Sequence, residues 1–219
     1  CIDHIIYKPR FDLLRGLFCH ATGADIYTRK TLERASTICT TCMGIVKFIA
    51  LRMAVESGIP FITYGWSPGQ APVEASIFQN NPSMVRSMQK VLLDPMRAVA
   101  GPDVERYFLT EEHFAMTDRF PHNISPLAFF DYDEEAIIER IGELGWKKPD
   151  DTDPNSTNCL LNAFANKVHR DRLQFNPYSF ELAKLVREGY MDRDEAIARL
   201  ELPENPEILK MVRKRLGMD

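Results

Sequence analysis

Residues 39–72 read CTTCMGIVKFIALRMAVESGIPFITYGWSPGQAP, and this stretch decides the fold. Within 41–57, Ile45, Phe48, Ile49, Arg52, Met53 and Glu56 recur with a period near 3.6 residues, which predicts a helix. Gly58 stands where a helix C-cap glycine belongs. Residues 59–64 (IPFITY) form a short apolar run of β-forming residues between Gly58 and Gly65, as expected of a buried strand in a parallel sheet. Residues 65–72 (GWSPGQAP) are a turn-rich loop. Helix, glycine, strand and glycine-rich loop make up one unit of an α/β crossover fold. In open parallel sheets, ligands gather at the carboxyl ends of the strands, where this loop lies.

Outward from that unit, residues 4–8 (HIIYK) read as a short strand ending at Pro9. Residues 11–21 have apolar positions at helical spacing, and residues 22–36 are polar, as in a loop or a short helix. Downstream, helices are expected over 81–98, with a kink near Pro95, and over 103–109. A further strand is expected over 126–130, then an amphipathic helix over 133–144 with acidic residues in its first turn. The polar segment 147–158 reads as a loop. Helices are expected again over 160–173, 177–188, 192–200 (Asp192 as its cap, Glu195 at the capping-box position) and 205–216. The composition divides the chain into an α/β part, 1–150, and a helical part, 151–219, which carries the last cysteine.

The 219 residues are 45% hydrophobic, enough for one sizeable domain. A formal net charge of −4 argues against gripping nucleic acid through bulk charge. No window approaches eighteen consecutive apolar residues, and the first residues lack the pattern of a signal peptide, so the expectation is a cytoplasmic protein without a membrane span. Five cysteines without disulfide-framework spacing point to metal or redox chemistry.

Cys39 and Cys42 form a C-x-x-C at the start of a helix, where unpaired backbone N–H groups are expected to lower thiol pKa values. Cys159 lies at a similar junction of loop and helix. The three can converge on one metal, either zinc or a 4Fe–4S cluster, with a fourth position left open. His20 and His169 are candidates for that position. Read by itself, the C-x-x-C is also compatible with a redox pair, while Cys1 and Cys19 read as structural.

The order of these features resembles the PP-loop ATP pyrophosphatases, the adenine nucleotide α-hydrolase-like superfamily. C-x-x-C opens a helix, GIPFITYG follows as strand and loop, Ser125-Pro126-Leu127 leads into Asp133-Glu134-Glu135-Ala136-Ile137, and a third cysteine comes later. The cysteine pattern looks like that of the tRNA-thiolating enzymes. Residues 52–68 (RMAVESGIPFITYGWSP) and 185–200 (LVREGYMDRDEAIARL) are similar instead to the N-acetyl sugar amidotransferases. The resemblance covers roughly residues 39–200. It implies a parallel-sheet, three-layer (HUP/Rossmann-like) α/β domain lacking its first strand and phosphate loop, plus C-terminal helices. The superfamily's S-G-G-x-D-S loop is absent and is expected to precede Cys1. Gly65-Trp66-Ser67-Pro68 also stands where the tRNA enzymes carry G-H-x-x-D-D.

The activity implied is adenylation of a substrate by ATP with Mg²⁺, followed by sulfur or nitrogen transfer and release of AMP and pyrophosphate. The substrate would be a small molecule, such as a sugar, or a tRNA. A sulfur or ammonia donor protein and a homodimer are further implied partners. On this reading Tyr64, Gly65, Trp66 and Ser67 line the nucleotide or substrate crevice. Cys39, Cys42 and Cys159 hold the cluster or zinc. Asn158, Asn162, Lys167 and His169 lie near Cys159 in sequence and can reach the same crevice, and Lys167 and Arg170 are candidates for phosphate contact. Two other readings are a non-catalytic, zinc-stabilised α/β binding subunit and a thiol redox protein using Cys39 and Cys42.

Overall fold

The computed structural model describes residues 3–147, 149, 152, 156 and 159–218. Its central helix, α2 (Thr37–Ser57), starts four residues before the helix expected over 41–57, because Ser36 caps it: the Ser36 side chain accepts from the Cys39 N–H at 3.1 Å. It ends at Gly58, which adopts the left-handed conformation (φ 64°) and returns its N–H to the carbonyls of Ala54 and Val55. By length and composition α2 is apolar enough to cross a membrane, and half of that apolar window is buried. The burial is against protein: Ile45, Phe48 and Val55 join the main core with Leu17 of α1 (Phe11–Gly23), Met96 of α3 (Pro82–Ala100) and Phe108.

The chain is mixed α/β, with helices predominating around a small sheet of three short strands. β1 (Phe61–Thr63) pairs in parallel with β3 (His122–Ile124), and β2 (Ile77–Gln79) pairs with β3 antiparallel, giving the order β1-β3-β2. Phe61, His122 and Gln79 stand side by side, as do Thr63, Ile124 and Ile77. Because side chains alternate along a strand, these six share one face. That face is open: Phe61 is 54% and Ile77 56% exposed. The other face carries Ile62, packed against the main core, and Asn123, whose carboxamide exchanges hydrogen bonds with that of Asn80 (3.0 and 3.2 Å).

Three sequence expectations need correction here. Residues 4–8 form no strand among the described residues; Ile5 and Ile6 are 65% and 70% exposed, and without a pairing edge their apolar character does not make a ladder. The β1 strand is short and largely exposed rather than buried, since the open sheet face leaves Phe61 and Thr63 uncovered. Residues 126–130 are not a strand either. Pro126–Phe129 is a 3₁₀ turn with Pro126 in its first positions, where a missing N–H costs nothing. The pairing falls to His122–Ile124 instead, where Pro60 accepts from the His122 N–H and Ile124 from the Tyr64 N–H, both at 2.8 Å.

The short α4 (Glu111–Ala115) precedes β3, and past β3 come α5 (Glu134–Glu143), α6 (Leu160–Leu173), α7 (Ser179–Arg187), α8 (Arg193–Glu201) and α9 (Pro206–Leu216). A second core joins residues from both sides of position 150: Phe18 and Ala21 of α1 and Ile38 of α2 pack with Phe164 of α6 and with Ile208 and Val212 of α9. A third, small core holds α7 to α8 through Leu182, Leu185 and Ala196.

Candidate functional site

The site is assembled by two helix starts and one loop. Cys39 is the third residue of α2, Cys42 lies almost one turn further on, and Cys159 is the N-cap of α6. These helices pack against each other, so thiols 120 positions apart become electrostatic neighbours: Cys159 and Cys42 both act on Cys39, and Cys159 acts on Cys42. All three are free, and Cys39 and Cys42 lie against the second core. Among the described residues no group of three or more His, Cys, Asp or Glu already stands at metal-holding spacing.

The helix start does not lower the Cys39 pKa as its position predicts. Burial pushes it up to about 12, and the neighbouring Cys159 and Cys42 add to the rise. The Ser36 and Asn162 hydrogen bonds oppose that shift without overcoming it. Cys42 is raised too, first by burial and then by Cys159. Desolvation of a thiolate outweighs the partial charge of a helix terminus when no cation is near.

Asn162, one turn into α6, turns its carboxamide Nδ2 toward Cys39 Sγ at 3.7 Å, while its Oδ1 accepts from Asn166 Nδ2 at 2.8 Å and from the Tyr178 hydroxyl at 3.3 Å. Tyr178 in turn lines a cleft of about 270 Å³. A continuous polar path therefore leads from the cleft to the thiols.

The cleft lies between the loop after β1, α5, and α7 with α8. Gly65 and Ser67 line it. The Ser67 hydroxyl donates to Glu181 Oε1 at 2.8 Å, and its N–H donates to Gln70 Oε1 at 3.2 Å. Gly69 lets this loop settle on α7: a Cβ there would lie 2.7 Å from the Glu181 carbonyl oxygen and 3.0 Å from Leu185 Cγ. Burial raises the Glu181 pKa, and nearby Glu134 adds to this, against the hydrogen bonds from Ser67 and Gln70. Arg199 closes the far side, bound to Glu134 and Glu195 at 2.7 Å each.

Tyr64 and Trp66 do not line this cleft. Their rings stack on each other (centroids 5.5 Å apart, 15° between planes), with Lys47 Nζ of α2 at 5.0 Å over Trp66. Lys47 is exposed as a residue, yet the crowding around it lowers the pKa of its ammonium.

Among the other candidates, Lys167 pairs with Asp171 at 2.8 Å, Arg170 pairs with Glu204, and His20 lines a separate hollow with Arg10 and Asp103. Asn158 and Cys1 lie outside the described residues. Cys19 places its Sγ 3.4 Å from the Leu216 carbonyl, a packing position. Gly69, Gln70, Tyr178, Glu181 and Arg199 were not anticipated. One signal was present in the sequence: Tyr178, Glu181, Leu182 and Leu185 recur at helical spacing, which puts an acid on the apolar stripe of α7.

His169 is 3% exposed, its ring edge packs on Phe175 (4.7 Å), and its Nε2 has no hydrogen-bond partner among the described residues. Burial lowers its pKa from the ordinary 6.5, with Asp25 opposing. The unfolded chain therefore binds a proton that the folded chain resists. This contribution to stability is complete above pH 6.5 and is lost as the pH falls through 6.5 toward the folded value. His169→Leu should flatten the acid limb of a plot of urea midpoint against pH, where one such group can contribute at most about 1.4 kcal/mol per pH unit. An acid limb of unchanged slope would remove His169 as its source.

No family model and no solved structure matches the chain. An uncharacterized protein of Methanocaldococcus jannaschii is similar to it, 34% identical over 90 residues, which cover 41% of this chain and 32% of that protein. The match thus spans about a third of the relative's length.

Proposed function

We propose that this chain carries the cysteine site and substrate crevice of an ATP-dependent transferase that adenylates its substrate and then delivers sulfur or nitrogen to it, releasing AMP and pyrophosphate. The observation that carries the reading is the polar path Tyr178–Asn162–Cys39, which joins the cleft at the carboxyl end of β1 to the three thiols. α2, β1 and the parallel partner β3 form half of a crossover unit, consistent with the edge of a larger three-layer HUP/Rossmann-like parallel sheet.

The donor types suit a soft metal centre, with three thiols, an amide N–H aimed at one sulfur and an apolar wall, although the thiols would have to draw together to hold an ion. Cys39, Cys42 and Cys159 would hold zinc or a 4Fe–4S cluster, which when bound supplies either structural closure or an open iron for sulfur delivery. Metal binding would have to displace the proton that burial keeps on Cys39 Sγ, and Asn162 Nδ2 is placed to donate to that sulfur. Ser67, Gln70 and Tyr178 would contact a substrate held in the cleft, of which α5 forms one wall. The raised thiol pKa values disfavour a redox pair, which needs a ready thiolate.

The test is anaerobic purification with zinc, iron and labile sulfide measured per chain, for the wild type and for Cys39→Ala, Cys42→Ala and Cys159→Ala. Bound metal lost in each variant is the expected result; absence of metal from the wild type would sink the three-thiol site.

A further inference from the structure

The cleft beside Ser67 has a charge pattern that favours one ligand class. Two carboxylates face it, Glu134 and Glu181, with a single guanidinium, Arg199. Arg199 is already committed: one nitrogen holds Glu134 and the other holds Glu195, each at 2.7 Å. Glu181 has only the neutral donors Ser67 and Gln70, and no cationic side chain lies within 4 Å of it among the described residues. A partly enclosed carboxylate with no counter-charge attracts a cation and repels phosphate or carboxylate.

The walls point the same way. Burial pushes the Tyr132 phenol up to about 12, and the nearby charges of Glu134 and Glu181 add to the rise. Tyr132, Tyr178 and Trp146 present aromatic surface, and Ile137, Ile141 and Leu182 supply aliphatic surface. Aromatic rings beside a carboxylate are the usual setting for an organic ammonium, whose charge meets the ring faces and the acid together. At about 270 Å³ the cleft is at the small end of ligand sites and suits a single ring or a short chain.

We infer that this cleft binds a small organic amine in its protonated form, with the ammonium against Glu181 and the apolar body against Tyr132, Trp146 and Ile141. This rests on reading the same cleft as the substrate crevice, and it specifies the substrate or nitrogen donor as amine-bearing. Arg199 positions Glu134 and leaves Glu181 as the anchoring charge. The ligand's hydrogen bonds would also reach the Tyr178 hydroxyl, and through it Asn162.

The test uses three probes of one shape, benzylamine, benzyl alcohol and benzoate, titrated at neutral pH into the whole chain and followed by NMR or calorimetry. Benzylamine should saturate in the millimolar range or tighter, and the neutral and anionic probes should bind at least about tenfold more weakly. Glu181→Gln keeps the shape and the Ser67 hydrogen bond, and should weaken benzylamine about tenfold while leaving benzyl alcohol unchanged. Glu112→Gln, exposed and outside the cleft, serves as the fold-matched control and should bind as the wild type does. Benzoate binding as well as benzylamine, equal benzylamine affinity in Glu181→Gln, or no benzylamine binding by the wild type would each overturn the inference. Metal content measured on the same preparations keeps the two proposals separable. Metal without amine selectivity overturns only the amine site, and amine selectivity without metal overturns only the three-thiol reading.

Discussion

Phe108→Ala is expected to cost about 3–5 kcal/mol of folding stability, the largest loss from a single truncation in this chain. Phe108 is 1% exposed, its ring lies 4.9 Å from that of Phe48, and it closes the main core between α2 and α3 just after a 3₁₀ turn. The core it belongs to is built from α1, α2 and α3, which cannot all move inward, so a cavity would remain where the ring was. Phe130, 65% exposed, gives the contrast: Phe130→Ala should stay within about 0.5 kcal/mol of the wild type. The comparison is read from urea unfolding midpoints at constant slope. If the two variants lose similar amounts, the main core is not organised around Phe108.

Gly69→Ala should cost about 1–3 kcal/mol and, unlike Phe108→Ala, should act on the cleft. The new methyl would lie 2.7 Å from a backbone oxygen of α7 and 2.9 Å from Glu181 Cγ. Neither can yield without moving the helix or the loop. The loop is the weaker partner, so the Ser67–Glu181 hydrogen bond should break and Glu181 should lose one of the donors that stabilise its charge. Two readings check this: the urea midpoint, and the distance-dependent NMR contacts between residues 67–70 and α7. Stability within about 0.5 kcal/mol of the wild type, with those contacts intact, would show that the contact at Gly69 is absorbed elsewhere.

The helices were legible in the sequence because their signals are local. Residues 160–173 and 205–216 carry periodicity, caps and polar flanks within themselves, and Gly58 marked the end of α2 correctly. The start of α2 was misplaced because Ser36 caps it from a polar segment that reads as loop, ahead of the apolar stripe. The strands were legible only in part. Three-residue strands provide too few positions for alternation to show, and β3 (His-Asn-Ile) is held by cross-strand carboxamides that no periodicity records. The cysteines stood out from spacing alone, yet the raised pKa values of Cys39 and Cys42 come first from burial, a property of packing. Glu181, Tyr178 and Arg199 belong to the cleft only because α7 and α8 fold back over the loop after β1. That is information carried by tertiary contacts more than a hundred positions long.

The pairing of α1 with α9 also bears on how the protein is made. Phe18, Ala21 and the Cys19 thiol of the first helix find their cover in Ile208, Val212 and the Leu216 carbonyl of the last helix, 197 positions away in the Cys19–Leu216 contact. A ribosome adding about 5–20 residues per second releases α1 roughly 10–40 s before α9 is synthesised. During vectorial synthesis α1 can dock on α2 and α3, but its second face must stay bare until α9 has emerged. That face is where a nascent-chain chaperone would act, and synonymous codon changes that slow elongation after α6 should raise aggregation without altering the finished protein.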